Sequence, residues 1–287
     1  MSPVVDVHTH IYPPAYVSLL RSRSAVPYMR TFPDNPEAGE RLVILPSEDA
    51  ANSTARGRPI GPEYYEEEEK IKFMDQHNID ISVISLANPW LDWCEPADAP
   101  EAAKQINDDV EAVCARHPGR LYAFGTLPLS AGAPAVVEEI KRLQSLKHMR
   151  GVIIGTSGLG AGLDDPALHP IWQALQETKQ LVFLHPHYGL PTSVYGDRAA
   201  DYGHVLPLAL GFPLETTISI TRAILSGVFD TFSSLQILLA HSGGREEGEK
   251  EWLSVRTNAE AVKSVFGVKE AEDVMGGNAV RVLRLHE

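Results

Sequence analysis

In the stretch Val4-Val5-Asp6-Val7-His8-Thr9-His10, an apolar run ends in two histidines two residues apart. Residues i and i+2 of an extended strand point to the same face, so this spacing projects both imidazoles together from the strand's end. Neutral imidazole is the commonest protein ligand for zinc and similar divalent metals, and two such side chains preset on one strand form a chelate. Paired surface histidines are the other reading of an HxH spacing taken alone. The flanks decide between them, because an apolar strand with functional side chains at its C-terminal end is how a β/α barrel carries its chemistry.

Working outward, short apolar strands alternate with helical patterns. The strands are Val4 to Val7, Ile79 to Leu86, Leu121 to Leu127, Gly151 to Gly155, Leu181 to His185 and Leu235 to His241. Helical periodicity covers Ala102 to Arg116, Ala135 to Leu146, Pro170 to Thr178 and Glu215 to Gly227. This alternation predicts an α/β fold with a parallel sheet, all of 1–287 forming one domain. A polar excursion rich in Pro, Gly and Arg, 27–62, interrupts the pattern, and its Arg30 is placed to reach a site. The Glu66 to Glu69 run opens a helix through Met74, as a solvated first turn favoured by the helix dipole.

Polar groups recur where the strands end: Asn88-Pro89-Trp90 after the second, His185-Pro186-His187 at the fifth, His241-Ser242-Gly243-Gly244 at the sixth. A single buried histidine is ordinarily a hydrogen-bonded core residue. Four sharing one position in the repeat, His8, His10, His185 and His241, read instead as one site. His77, His117, His148, His169 and His286 lack such placement and read as structural, and His204 is ambiguous. The run Gly155 to Gly162 fits neither the dinucleotide fingerprint nor the P-loop and reads as a loop over the barrel mouth. No Gly-x-Ser-x-Gly elbow supports a serine hydrolase.

Composition narrows the partners. A net charge of −13 argues against nucleic acid and anionic membranes, though not against an anionic substrate beside a divalent cation. With Cys94 and Cys114 the only cysteines, a disulfide framework is not expected and a reducing, cytoplasmic compartment fits. No secretory leader is read at the start, and no apolar run approaches membrane-spanning length.

The His8-Thr9-His10 start, Asn88-Pro89-Trp90, Leu184-His185-Pro186-His187, Leu239-Ala240-His241-Ser242-Gly243-Gly244 and Asn278 to Leu283 together resemble the amidohydrolase superfamily. Within it they resemble the metal-dependent decarboxylases related to aminocarboxymuconate semialdehyde decarboxylase, and among these the fungal isoorotate (5-carboxyuracil) decarboxylases. The resemblance implies a (β/α)8 TIM-barrel-type metal-dependent hydrolase fold and a carboxy-lyase acting on a small-molecule carboxylate. It implies zinc or a similar divalent metal held by His8, His10 and His185, with His241 beside it in proton handling or substrate binding. Asn88 matches a contact to a pyrimidine amide edge and Phe212 an aromatic wall, with Arg30 and His187 as further substrate contacts. Relatives in this branch are commonly homodimers.

One part of the pattern is missing. The family carries its proton-donating aspartate in a Gly-Thr-Asp-x-Pro segment at the end of strand eight, and the sequence contains no such segment. After Gly244 it passes through Arg245 into Glu246-Glu247-Gly248, a junction near 244–246 that resembles the family's segment just beyond strand eight. The stretch from His241 to Glu287 is too short for two more βα units as well as its own helical patterns, Trp252 to Phe266 and Glu270 to Val282, since a βαβ unit takes roughly 30 residues. The expected barrel is therefore incomplete, lacking strands seven and eight, with open sheet edges. Two other readings stand beside the decarboxylase: a hydrolase of an amide or lactone in the same superfamily, and an inactive product without its catalytic aspartate.

Overall fold

In the computed structural model the alternating apolar runs form a curled, all-parallel half-barrel. Residues 3–33, 36–49, 57–187, 189–202, 205–241, 262 and 264–285 are described. The 244–246 junction, His204, His286 and most of the Trp252 to Phe266 pattern lie outside them. The sheet contains β1 (Val5–Ile11), β5 (Ile81–Leu86), β6 (Leu121–Thr126), β7 (Met149–Gly155), β8 (Leu181–His185) and β9 (Ile237–Leu239), in that spatial order. Each strand pairs in parallel with the next, as in Gly155 with His185 and Leu184 with Leu239. Beyond β9 no further strand is paired among the described residues.

Period-two alternation explains the layering. Ala123, Val152, Ile154, Val182 and Leu184 face outward onto helices α5 (Ala99–Arg116), α6 (Ala133–Leu143) and α7 (His169–Thr178), in one apolar layer with Val110, Ile140 and Trp172. The alternate residues, Val83, Tyr122, Phe124, Ile153, Leu181 and Phe183, form a second layer on the inner face. Leu283 and Leu285 join that inner layer, and the Tyr122 hydroxyl donates to Leu285 O. The C-terminal segment thus floors the half-barrel at the end opposite the histidines.

The described parts of the 27–62 excursion contain regular structure that its composition does not foretell. Strands β2 (Tyr28–Arg30), β3 (Arg41–Val43) and β4 (Arg58–Pro59) form a small antiparallel sheet over Tyr28, Phe32 and Val43. Strands of two or three residues carry no alternation to read. Helix α1 (Pro14–Ser22) precedes it, burying Tyr16, Val17 and Leu20. Short turns α2 (Pro46–Asp49) and α3 (Pro62–Tyr65) lead to α4 (Glu67–His77). The acidic run there is not simply solvated: Glu67 pairs with Arg116 at 2.6 Å, and Lys70, mostly buried, donates to Thr9 Oγ1 at 2.5 Å.

The last outer helix corrects the expectation that no apolar run reaches membrane-spanning length. A wide turn at Pro207–Gly211 runs straight into α8 (Phe212–Leu225), making 19 residues long and apolar enough to cross a membrane on those criteria alone. Among its polar side chains, Glu215 and Ser219 bond to the loop after β7 and Arg222 pairs with Asp164 at the surface. The same helix exposes Ile218, Ile224 and Leu225, the last by 81%. Ile224 lies along an apolar cleft between α8, the turn α9 (Val228–Thr231) and the outer side of β9, lined also by Phe229, Ile237 and Leu239.

Candidate metal centre

Four imidazoles meet at the C-terminal end of the half-barrel. His8 and His10 come from β1, His185 from the end of β8, and His241 from two residues beyond β9. His8 Nε2 lies 3.2 Å from His10 Nε2, and His241 Nε2 lies 3.2 Å from His185 Nε2. Ligand nitrogens of His8, His185 and His241 all fall within 4.8 Å of one another. Their floor is aromatic, with the His8 ring 5.1 Å from Phe183 and Phe183 stacked on Phe124 at 5.2 Å.

Local backbone features aim these rings. The β1–β5 register slips between Asp6 and Thr9, where the chain takes one extra residue, so the strand bulges as it delivers His8. His241 sits at φ +54°, the left-handed region that β-carbon residues other than Asn and Asp enter at a cost, and this turns its ring back over His185. Trp90, at φ +45°, is a second such residue beside the centre.

Hydrogen bonding fixes which nitrogens are available. His185 Nδ1 lies 2.7 Å from Pro186 O, an atom that only accepts, so Nδ1 carries the proton and Nε2 keeps its lone pair. His10 Nδ1 lies 3.0 Å from Ser85 Oγ, whose own proton is directed to Thr9 O at 3.4 Å, which again leaves Nε2 as the donor atom. Two nitrogens bound to one tetrahedral zinc stand about 3.3 Å apart for bonds near 2.0 Å, close to both observed separations. The tautomers of His10 and His185 and the two 3.2 Å separations fit a divalent metal, although the three histidines with ligand nitrogens all within 4.8 Å of one another are His8, His185 and His241, with His241 in the place expected for His10.

Burial holds these groups neutral. Desolvation, followed by the neighbouring histidines, pushes His185 well below the usual imidazole value, and desolvation with His185, His8 and Lys70 does the same to His10. Desolvation lowers His241 to about 4. In an unfolded chain these residues titrate near 6.5. The folded values lie below the unfolded ones, so their contribution to stability is complete above about pH 6.5 and is lost as pH falls toward 4. Urea unfolding of metal-free protein is accordingly expected to show falling stability from pH 7 to pH 4.5, with a shallower fall in His241→Ala. Parallel slopes for the two proteins would contradict this account.

The other expected site residues divide. Phe212 stands 5.2 Å from the His241 ring and 6.3 Å from His185, a wall to the centre. Asn88 is nearby but engaged, its Nδ2 donating to His187 O at 2.7 Å while Tyr12 Oη donates to Asn88 O at 2.8 Å. His187 is 9% exposed, with Nε2 2.7 Å from Asp92 Oδ2 and its ring edge-on to Trp90. Arg30 stacks its guanidinium over Tyr28 and donates to Arg23 O. Asp92 and Glu215, both close to this network, carry no sequence motif. Among the described residues the other histidines have structural partners: His148 on Glu111, His117 beside Glu67, His169 against Phe232, His77 against Phe73.

A sequence model of the amidohydrolase family matches residues 5–267. The chain belongs to the amidohydrolase family. Among its relatives, the 2-amino-3-carboxymuconate-6-semialdehyde decarboxylase of Dictyostelium discoideum is 30% identical over 188 residues, 65% of this chain and 50% of that protein. The apo crystal structure of Metarhizium anisopliae IDCase, an isoorotate decarboxylase, matches with a TM-score of 0.90 at 40% identity, covering 99% of this chain and 98% of that one. A dihydroxybenzoic acid decarboxylase from Polaromonas, solved with bound manganese and 2-nitroresorcinol, shares the fold at a TM-score of 0.68 and 16% identity, covering 100% of this chain and 98% of that one. This amidohydrolase chain spans about half the length of the curated relatives it matches.

Proposed function

We propose that this amidohydrolase chain carries the site of a metal-dependent carboxy-lyase that removes CO2 from a pyrimidine carboxylate such as 5-carboxyuracil, or from a related aromatic or unsaturated acid. The observation that carries the reading is the convergence of His8, His10, His185 and His241 at the ends of three parallel strands, walled by Phe212. The decarboxylases among its relatives and structural neighbours support it. His8, His10 and His185 would hold zinc or a similar divalent metal, which when bound neutralises the substrate carboxylate and withdraws electrons from the ring. His241, turned inward by its left-handed backbone, is placed to hold or move a proton at Nε2. Phe212 packs on the ring, and the buried apolar floor excludes water. The same reading takes 1–287 as one domain of a cytoplasmic homodimer acting on a small molecule, with neither nucleic acid nor membrane as partner.

Asn88 gives the substrate test. His187 O can only accept, so the Asn88 amide must turn its NH2 toward it, and the Oδ1 acceptor is left to face an N–H of the ring. With metal-loaded protein and 5-carboxyuracil, Asn88→Ala is expected to lower kcat/KM by about 1 to 3 kcal/mol, the cost of an unmade hydrogen bond, at unchanged metal content. Product analysis separates the chemistries: CO2 and uracil support decarboxylation, whereas gain of water by an amide or lactone substrate supports hydrolysis. An unaltered kcat/KM in Asn88→Ala would remove this residue from the substrate site.

A further inference from the structure

Glu215, in the first turn of α8, makes more hydrogen bonds to other elements than a dipole-favoured helix acid needs. Its Oε1 accepts from His187 N at 2.7 Å and its Oε2 from Gly189 N at 2.6 Å, while the Thr156 hydroxyl donates to Oε1. Ser219, one turn further along the helix, donates to Thr156 O at 2.9 Å. One carboxylate thus joins the loop after β7, the loop after β8 and the helix that carries Phe212 three residues earlier, on the same side of the helix. His187 is in turn gripped at its carbonyl by Asn88 and at its ring by Asp92. The fit is tight: a β-carbon at Gly155 would come within 2.5 Å of His187 Nδ1 and 2.8 Å of Trp90.

We infer that Glu215 is a positioning residue that sets the substrate pocket, fixing Phe212 against the histidines and, through His187, the amide of Asn88. The carboxylate is specifically suited to this, since two backbone N–H groups and a hydroxyl need an acceptor on both oxygens. Glutamine keeps the shape but turns an NH2 toward one of those N–H groups. It leaves the metal ligands untouched.

The inference rests on the decarboxylase reading for its activity arm and on amide exchange for the other. In metal-loaded protein, Glu215→Gln is expected to raise KM for 5-carboxyuracil at least tenfold, with kcat changed less than threefold and metal content unchanged. Thr156→Val, which removes only one of the three donors, is expected to give a smaller rise in the same direction. Hydrogen exchange at the His187 and Gly189 amides, which donate to the carboxylate, is expected to quicken in Glu215→Gln. An unchanged KM, equal losses in kcat and metal content, or unaltered exchange at both amides overturns the inference. Wild-type protein that releases no CO2 defeats the functional reading instead, and the exchange measurement then decides the role of Glu215 alone.

Discussion

Replacing His185 or His8 by alanine is expected to strip the protein of its metal and, with it, of any CO2 release. Wild-type protein loaded with zinc or manganese should hold about one ion per chain, as a three-histidine site with an open position does. Loss of a direct ligand should exceed the roughly 10- to 100-fold fall in affinity that follows removal of a group behind a ligand, such as Ser85 behind His10. The measurement is metal content after dialysis, with His148→Ala as a control on a histidine tied to Glu111 far from the centre in the chain's packing. Stoichiometric metal in both His8→Ala and His185→Ala would end the assignment. Equal loss in His148→Ala would mean that the fold, not the site, had been damaged.

Inserting the two βα units expected between Gly244 and Glu246 should raise CO2 release from 5-carboxyuracil by about 10² to 10⁴, the usual worth of a positioned general acid. The four imidazoles supply ligands and a proton-handling group, but the family's aspartate has no counterpart in this sequence. The insertion should also alter behaviour in solution. Ile224 and Leu239 are 58% and 38% exposed in the apolar cleft at β9, beyond which no strand is paired among the described residues, and new strands would cover them. Light scattering of the two proteins at equal concentration should therefore show less association in the extended one. Equal turnover by both would place the proton donor among the residues already present.

Much of this was legible because it depended on local pattern. Six apolar runs became six parallel strands with boundaries moved by a few residues, since period-two alternation on both faces of the sheet leaves little choice of register. His8, His10, His185 and His241 could be grouped from position in the repeat alone. What escaped depended on pairing across long sequence separations. The stacking of Arg30 on Tyr28 and its bond to Arg23 O left no mark in the sequence. Glu215 marked only the start of a helical pattern, because its three donors come from 26 to 59 residues upstream. Asp92 belongs to no motif, and only the meeting of two loops makes it the partner of His187. The bulge in β1 was hidden too, since one extra residue between Asp6 and Thr9 leaves no mark on composition.

The left-handed backbone at His241 has an evolutionary side. Glycine would relax that position by roughly 1 kcal/mol, and asparagine would also sit there with less strain than histidine. The path away from histidine is therefore downhill in conformational energy, whereas at His185, in a regular strand, it is not. A lineage that no longer needed the imidazole could take glycine or asparagine at 241 without a backbone cost.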